Sequence, residues 1–110
     1  MLARANRVTR PADFRAAVRR GVRVPTGHAV LHVLRGGDGP PRFGFIITKA
    51  VGGAVVRNRV RRRLRAVCYH ALGRVSDGTD VVIRALPGSE QLSFDMLSSE
   101  INEGLGRGAA

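Results

Sequence analysis

Acidic residues are scarce in this chain. Its 110 residues contain 8 Asp and Glu against 19 Lys and Arg, which gives a formal net charge of +11 at pH 7. The length predicts a single domain. Hydrophobic residues make up 44% of the chain, which is enough to form a core and excludes disorder caused by low hydrophobicity. The excess of positive charge therefore predicts a folded domain with a polyanionic partner.

Cysteine and long apolar runs are also scarce. Cys68 is the only cysteine, which excludes an intrachain disulfide and a Cys-rich zinc site. Residues 1–10 alternate basic and apolar side chains and contain no run long enough for a signal peptide. No segment has the roughly 20 apolar residues that a membrane span needs. We therefore expect a cytoplasmic protein with no membrane partner.

Hydrophobic periodicity and turn residues predict the element order α-β-β-β-α-β-α in an α/β fold. The predicted elements follow in chain order at residues 11–20, 22–24, 28–34, 42–48, 52–72, 79–85 and from about 93. We expect residues 1–10 to form a basic, poorly packed arm, and the glycine-rich end to fray, with a flexible tail over 106–110. No repeat or linker divides the chain, so residues 1–110 are expected to form one domain.

The longest predicted helix carries a dense cluster of arginines. Residues 57–65 read RNRVRRRLR, and no acidic residue lies between Lys49 and Leu72. At 100° per residue, the arc beside the apolar stripe carries one amide and four guanidinium groups: Asn58, Arg57, Arg61, Arg62 and Arg65. Like charges four residues apart repel by about a few tenths of a kcal/mol, so a merely solvated helix would include glutamates. A phosphate backbone that supplies the missing negative charge explains the cluster better.

The same segment resembles a known signature. Residues 51–65 read VGGAVVRNRVRRRLR and are similar to the pattern of the bacterial ribonuclease P protein subunit. In that pattern an apolar residue and an alanine precede Arg-Asn-Arg and a run of aliphatic and basic residues, and every constrained position is met. The resemblance covers roughly residues 6–105 through further matches at Arg7, Asp13-Phe14, Phe43-Gly44, Thr48-Lys49 and residues 81–85.

The resemblance implies a fold and a function. The family fold is an α+β sandwich, like the second domain of ribosomal protein S5, with helices packed on a four-stranded sheet and a left-handed βαβ crossover, an exception to the usual hand. The family enzyme is an endoribonuclease that removes the 5′ leader from precursor tRNA. Its catalytic component is an RNA that holds Mg²⁺. The implied protein is a non-catalytic monomer that binds this RNA in a 1:1 complex and grips the leader.

Two groups of site residues are carried over by resemblance. Contacts to the catalytic RNA are expected at Arg57, Asn58, Arg59, Arg61, Arg62 and Arg65. A cleft for the single-stranded leader is expected between the first helix and the sheet, at Phe14, Val18, His32 and Lys49. The chain departs from residues that are common in the family at Val18, His32, Ala50 and Gly53, none of which is a constrained position of the signature. Because Val18 and His32 replace aromatic residues, base stacking there, worth about 1–3 kcal/mol per base, should be weaker or rely on His32.

Simpler interpretations stay open for several residues. Phe14 at helical spacing is more often a core residue than a stacking platform, and the pair His28 and His32 lacks a third ligand for zinc. The acidic residues are scattered, with Asp77 and Asp80 the closest pair before a strand, so a protein-held magnesium pair is not expected. The alternative function is a small ribosomal or other structural RNA-binding protein, which fits the charge and size equally well.

Overall fold

The computed structural model describes residues 1–109 as helices and strands in the predicted order. The helices are α1 (Pro11–Arg20), α2 (Ala54–Ala71) and α3 (Phe94–Gly108). The strands are β1 (Val22–Pro25), β2 (Ala29–Leu34), β3 (Arg42–Ile46) and β4 (Asp80–Ala85). Short 3₁₀ segments lie at Arg4–Asn6, Leu72–Arg74 and Ser89–Gln91. No helix within residues 1–109 is long and apolar enough to cross a membrane.

The strands form one mixed sheet in the order β1-β2-β4-β3. β1 pairs antiparallel with β2, and β2 antiparallel with β4. β3 and β4 are parallel neighbours joined through α2, which confirms the βαβ connection, while its left hand stays a prediction. β3 ends at Ile46, before the predicted Thr48, because Val51 N donates to Thr48 O at 3.0 Å and closes a turn. This turn delivers the chain into α2.

The two sheet faces are covered by different helices. α2 and α3 share a core with one face, where Leu31, Phe43 and Ile83 are fully buried. The helices contribute their apolar stripes to this core: Val60, Leu64, Val67, Cys68 and Ala71 from α2, and Leu97, Ile101 and Leu105 from α3. The opposite face packs against α1, whose Ala17 is fully buried. α1 therefore lies across the sheet from the arginine-bearing helix.

The N-terminal segment is packed, which corrects the expected loose arm. Leu2 and Val8 are buried, and Arg7 forms a bridge with Phe43 at the outer edge of β3. Val8 N donates to Phe43 O at 2.8 Å, and Asn6 Nδ2 donates to Pro41 O at 2.9 Å. An edge strand has unpaired backbone groups that favour such a partner. Two isolated apolar residues leave no periodic signal in the sequence, so composition alone missed this contact.

The C-terminal end is helical where a frayed, flexible tail was expected. α3 continues to Gly108, and Ala109 is buried. A Cβ placed on Gly104 would lie 3.0 Å from Thr26 Cγ2, and one on Gly108 only 2.5 Å from Val24 Cγ2. These glycines let α3 approach β1 closely, and the packing offsets the low helix propensity of glycine. The expected tail over 106–110 is therefore wrong for residues 106–109, and Ala110 lies outside the described residues.

Candidate nucleic-acid interface

α2 has three solvent-facing sides besides its buried stripe, because successive residues turn by 100°. The side toward the N-terminal segment and β3, here the β3 flank, carries Arg57, Arg61 and Arg65. The outer face carries Val55, Asn58, Arg62 and Tyr69. The side toward α3, here the α3 flank, carries Arg59 and Arg63. The arginine cluster is thus divided among three surfaces.

The arginines of the α3 flank are bound by main-chain carbonyls. Arg63 Nη1 donates to Leu92 O at 2.8 Å, and Arg59 Nη2 donates to Glu90 O at 3.3 Å. Both acceptors lie in the segment that leads into α3. Arg63 is half-buried, so its bond ties α2 to α3 and serves packing. Arg59, which is predicted to contact RNA, lies on this same side. One of its N–H groups is already used in the hydrogen bond to Glu90 O.

Three of the other arginines of α2 are left without a protein acceptor within residues 1–109. Within residues 1–109, the guanidinium groups of Arg57, Arg62 and Arg65 make no hydrogen bond or ion pair, and the Nε atoms of Arg57 and Arg65 are shielded from solvent as well. Arg61 Nη1 donates to Asn58 Oδ1 at 3.0 Å, which leaves the Asn58 amide group free to donate. Four of these residues line a shallow groove of about 420 Å³ beside Val55. The groove presents unneutralised positive charge to solvent.

A second hollow connects the β3 flank with α1. This space of about 180 Å³ lies between Arg61 and Arg65 on one side and Arg7, Thr9 and Phe14 on the other. Arg7 Nε is also shielded from solvent and has no acceptor within residues 1–109. The hollow therefore joins the arginine surface to the first residue predicted for the leader cleft.

The predicted cleft residues do not all face solvent. The Phe14 ring lies over Gly44, where an added Cβ would come within 2.7 Å of Phe14 Cε1. Val18 follows one turn later on α1 and is 41% exposed, and Lys49 is exposed in the turn before α2. Phe14 and Val18 thus share α1, and Phe14 combines a packing role with partial exposure.

His32 forms part of the sheet floor under α1. It pairs with Arg23 across β1 and with Val82 across β4, and it is only 8% exposed. Burial lowers the pKa of His32 below its ordinary value of 6.5, and the positive charges of Arg23 and Arg84 lower it further. The ring is therefore a poor stacking surface in this conformation, although its surroundings are cationic.

Two half-buried polar clusters were not predicted from the sequence. Arg42 donates to both carboxylate oxygens of Asp80 at 2.8 and 2.7 Å, and Asp13 lies 3.5 Å from the same guanidinium. Glu100 of α3 accepts from His28 N at 2.7 Å and from Thr26 Oγ1 at 2.8 Å. Arg42 and Asp80 are partners in the β3–β4 register, a relation visible only once the strands are paired. Both clusters join elements of the fold.

Comparison with known proteins identifies the family. The family model for Ribonuclease P matches residues 2–108. A Ribonuclease P protein component from Clavibacter michiganensis subsp. michiganensis is 57% identical over 102 residues, which cover 92% of this chain and 90% of that protein. The chain belongs to the ribonuclease P protein family. A Ribonuclease P protein component from Mycobacterium tuberculosis is 43% identical over 107 residues, 97% of this chain and 92% of that protein.

Solved structures of ribonuclease P proteins share the fold. The RNase P protein from Thermotoga maritima superposes with a TM-score of 0.84 at 19% identity, covering 94% of this chain and 98% of that one. The Staphylococcus aureus RNase P protein gives a TM-score of 0.83 at 20% identity, covering 93% and 94%. The α/β fold class predicted from the sequence is confirmed. At these identities the likeness concerns the fold alone, so the role of each arginine depends on the contacts described above.

Proposed function

We propose that this chain, as the protein subunit of ribonuclease P in tRNA 5′ processing, holds the catalytic RNA with the β3 flank and outer face of α2. The observation that carries the proposal is the state of Arg57, Arg62 and Arg65, which find no acceptor within residues 1–109. RNA phosphates accept paired hydrogen bonds from guanidinium groups. They also relieve the repulsion between arginines spaced four residues apart.

The 5′ leader of precursor tRNA is proposed to lie in the cleft between α1 and the sheet. Phe14, Val18 and Lys49 offer an aromatic ring, an apolar surface and a cation to a single strand. The hollow between Phe14 and Arg65 connects this cleft with the RNA-binding surface of α2. A leader in the cleft would therefore be held close to the catalytic RNA. His32 contributes to the floor beneath it.

Cleavage is assigned to the RNA, which supplies the Mg²⁺ sites. The side chains of residues 1–109 are a poor fit for the ion: they form no cluster of three or more His, Cys, Asp or Glu, and Arg42 occupies both carboxylate oxygens of Asp80. The polypeptide contributes positive charge that offsets phosphate repulsion where RNA and leader meet. The proposed state is a protein monomer in a 1:1 complex with the RNA, in the cytoplasm.

Reconstitution tests the proposed function. A bacterial ribonuclease P RNA at low Mg²⁺ is mixed with the chain, and formation of the mature tRNA 5′ end is measured. We expect the chain to restore processing, the chain alone to cleave nothing, and a variant with Arg57, Arg62 and Arg65 all changed to alanine to restore little. No stimulation by the unaltered chain would favour the structural RNA-binding alternative. Cleavage by RNA-free protein would refute the assignment of catalysis to the RNA.

A further inference from the structure

We propose that Tyr69 is a stacking platform for an unpaired base of the RNA bound along α2, so that the RNA contact extends beyond the arginine cluster to the end of the helix. The proposal rests on the proposed function for the presence of RNA. The arginine signature ends at residue 65, one helical turn before this tyrosine. Three features of Tyr69 support the proposal: its position on α2, the exposure of its ring, and the absence of a structural role for that ring within residues 1–109.

Tyr69 continues the RNA-facing surface of α2. At 100° per residue, Arg65, Asn58, Tyr69, Arg62 and Val55 fall within an arc of about 80°. Tyr69 lies about 6 Å beyond Arg65 along the helix axis. A strand whose phosphate binds Arg65 would thus bring the adjoining base to the level of the tyrosine ring. The buried stripe of α2, by contrast, is directed toward the core.

The Tyr69 ring is exposed and has no structural task in residues 1–109. It is 44% exposed, and its hydroxyl forms no hydrogen bond there. Its one ring contact is with His70, edge-on, with centroids 5.3 Å apart and planes at 71°. The phenylalanines of β3 differ: Phe43 is fully buried and Phe45 packs against the core. Tyr69 is therefore an exposed aromatic ring that α2 offers to a partner, beside the smaller exposed ring of His70.

The chemistry of the surroundings favours a nucleic-acid strand as the occupant. Tyr69 follows Arg62 and Arg65, neither of which is neutralised within residues 1–109. Guanidinium groups that track phosphates, combined with an aromatic ring that receives a base, are how proteins bind unpaired nucleic acid. A purely apolar partner would leave these cations desolvated and unpaired, at a considerable free-energy cost.

The composition supplies a direct spectroscopic test. The chain has one tyrosine and no tryptophan, so its tyrosine emission reports on Tyr69 alone. The intensity, corrected for light absorbed by the RNA, and the lifetime of this emission are measured while ribonuclease P RNA is added. A base stacked on the ring quenches it, so we expect the corrected intensity to fall and to level off at one RNA per protein, with any remaining emission from the complex shortened in lifetime. Emission unchanged in both corrected intensity and lifetime at saturating RNA would overturn the proposal.

Binding of variants separates stacking from other contributions. Tyr69→Ala should weaken RNA binding by about 5- to 150-fold and leave the dependence on salt unchanged, because no phosphate contact is lost. Tyr69→Phe should bind within about twofold of the unaltered chain, since the ring is kept. Met96→Ala, which truncates an exposed apolar residue on α3, is the matched control and should have no effect.

The outcomes distinguish this proposal from the proposed function. If the unaltered chain fails to bind the RNA, the proposed function itself fails. If it binds and Tyr69→Ala binds equally well, stacking at Tyr69 is refuted while the RNA-binding role stands. If Tyr69→Phe loses as much affinity as Tyr69→Ala, the hydroxyl makes the contact, and stacking is likewise refuted.

Discussion

The two flanks of α2 carry the same residue type in different states. On the α3 flank, Arg59 and Arg63 donate to the carbonyls of Glu90 and Leu92. On the β3 flank, Arg57 and Arg65 have Nε atoms that are shielded from water and still lack an acceptor within residues 1–109. Unsatisfied buried donors are unfavourable in the free protein. A count of arginines therefore overstates the binding surface, which lies where the fold leaves guanidinium groups without an acceptor.

The largest effect is expected from removing the unmatched arginines together. Changing Arg57, Arg62 and Arg65 to alanine should weaken binding to the catalytic RNA by about 100-fold and reduce the slope of log affinity against log salt by about three. The physical reason is the loss of three phosphate contacts and of the counterions that they release. Filter binding at several salt concentrations measures both quantities.

The matched control is the double change of Arg59 and Arg63 to alanine. Because these two arginines already have carbonyl partners, their removal should reduce the salt slope by less than about one. The prediction from family resemblance that Arg59 contacts the RNA is tested by the same experiment. A loss of slope per arginine equal to that of the triple variant would show that the two flanks are equivalent.

A single substitution on the β3 flank gives a smaller effect of the same kind. Arg57→Ala should weaken RNA binding by about tenfold and lower the salt slope by about one. Arg57→Lys should keep the slope, since the charge remains, but should bind less tightly than arginine because paired hydrogen bonds to one phosphate are lost. An unchanged slope in Arg57→Ala would assign Arg57 a structural role.

The sequence was sufficient to predict the order of the helices and strands and the buried side of α2. It was not sufficient to predict which arginines of α2 have an acceptor in the protein. The stripe of Val60, Leu64 and Val67 predicted α2 and its buried side, because helical periodicity is a local property. Whether an arginine finds an acceptor depends on where a distant carbonyl points, as at Leu92. The same holds for His32, whose burial follows from strand pairing and from the position of α1. Periodicity alone carries neither kind of information.

For protein stability, unlike RNA binding, we expect the larger loss on the α3 flank, at Arg63, and no loss on the outer face, at Arg62. Arg63→Ala should lower the free energy of unfolding by about 1 kcal/mol, since it leaves the Leu92 carbonyl without its partner. Its neighbour Arg62→Ala should leave stability unchanged or raise it by about a few tenths of a kcal/mol, because repulsion along the helix decreases. Urea denaturation of the RNA-free proteins measures the difference. Equal losses for both variants would contradict a packing role for Arg63.

The smallest expected effect is the change of stability with pH that His32 causes. Burial, together with Arg23 and Arg84, lowers the pKa of His32 below 6.5 in the folded chain, so the unfolded chain takes up a proton first as the pH falls. Stability should therefore decrease as the pH falls from about 6.5 through the folded pKa. The pKa of Glu100 is also lowered from 4.5, despite the opposing effect of burial, mainly by its hydrogen bond with His28, so its contribution is lost only at lower pH.

The variant His32→Gln separates the two groups. It should remove the pH dependence of stability that begins near pH 6.5 and keep the loss of stability below pH 4.5. Stability measured by urea denaturation between pH 7 and 5 should then be flatter for the variant. A curve parallel to that of the unaltered chain would show that burial and the positive charges of Arg23 and Arg84 do not lower the pKa of His32.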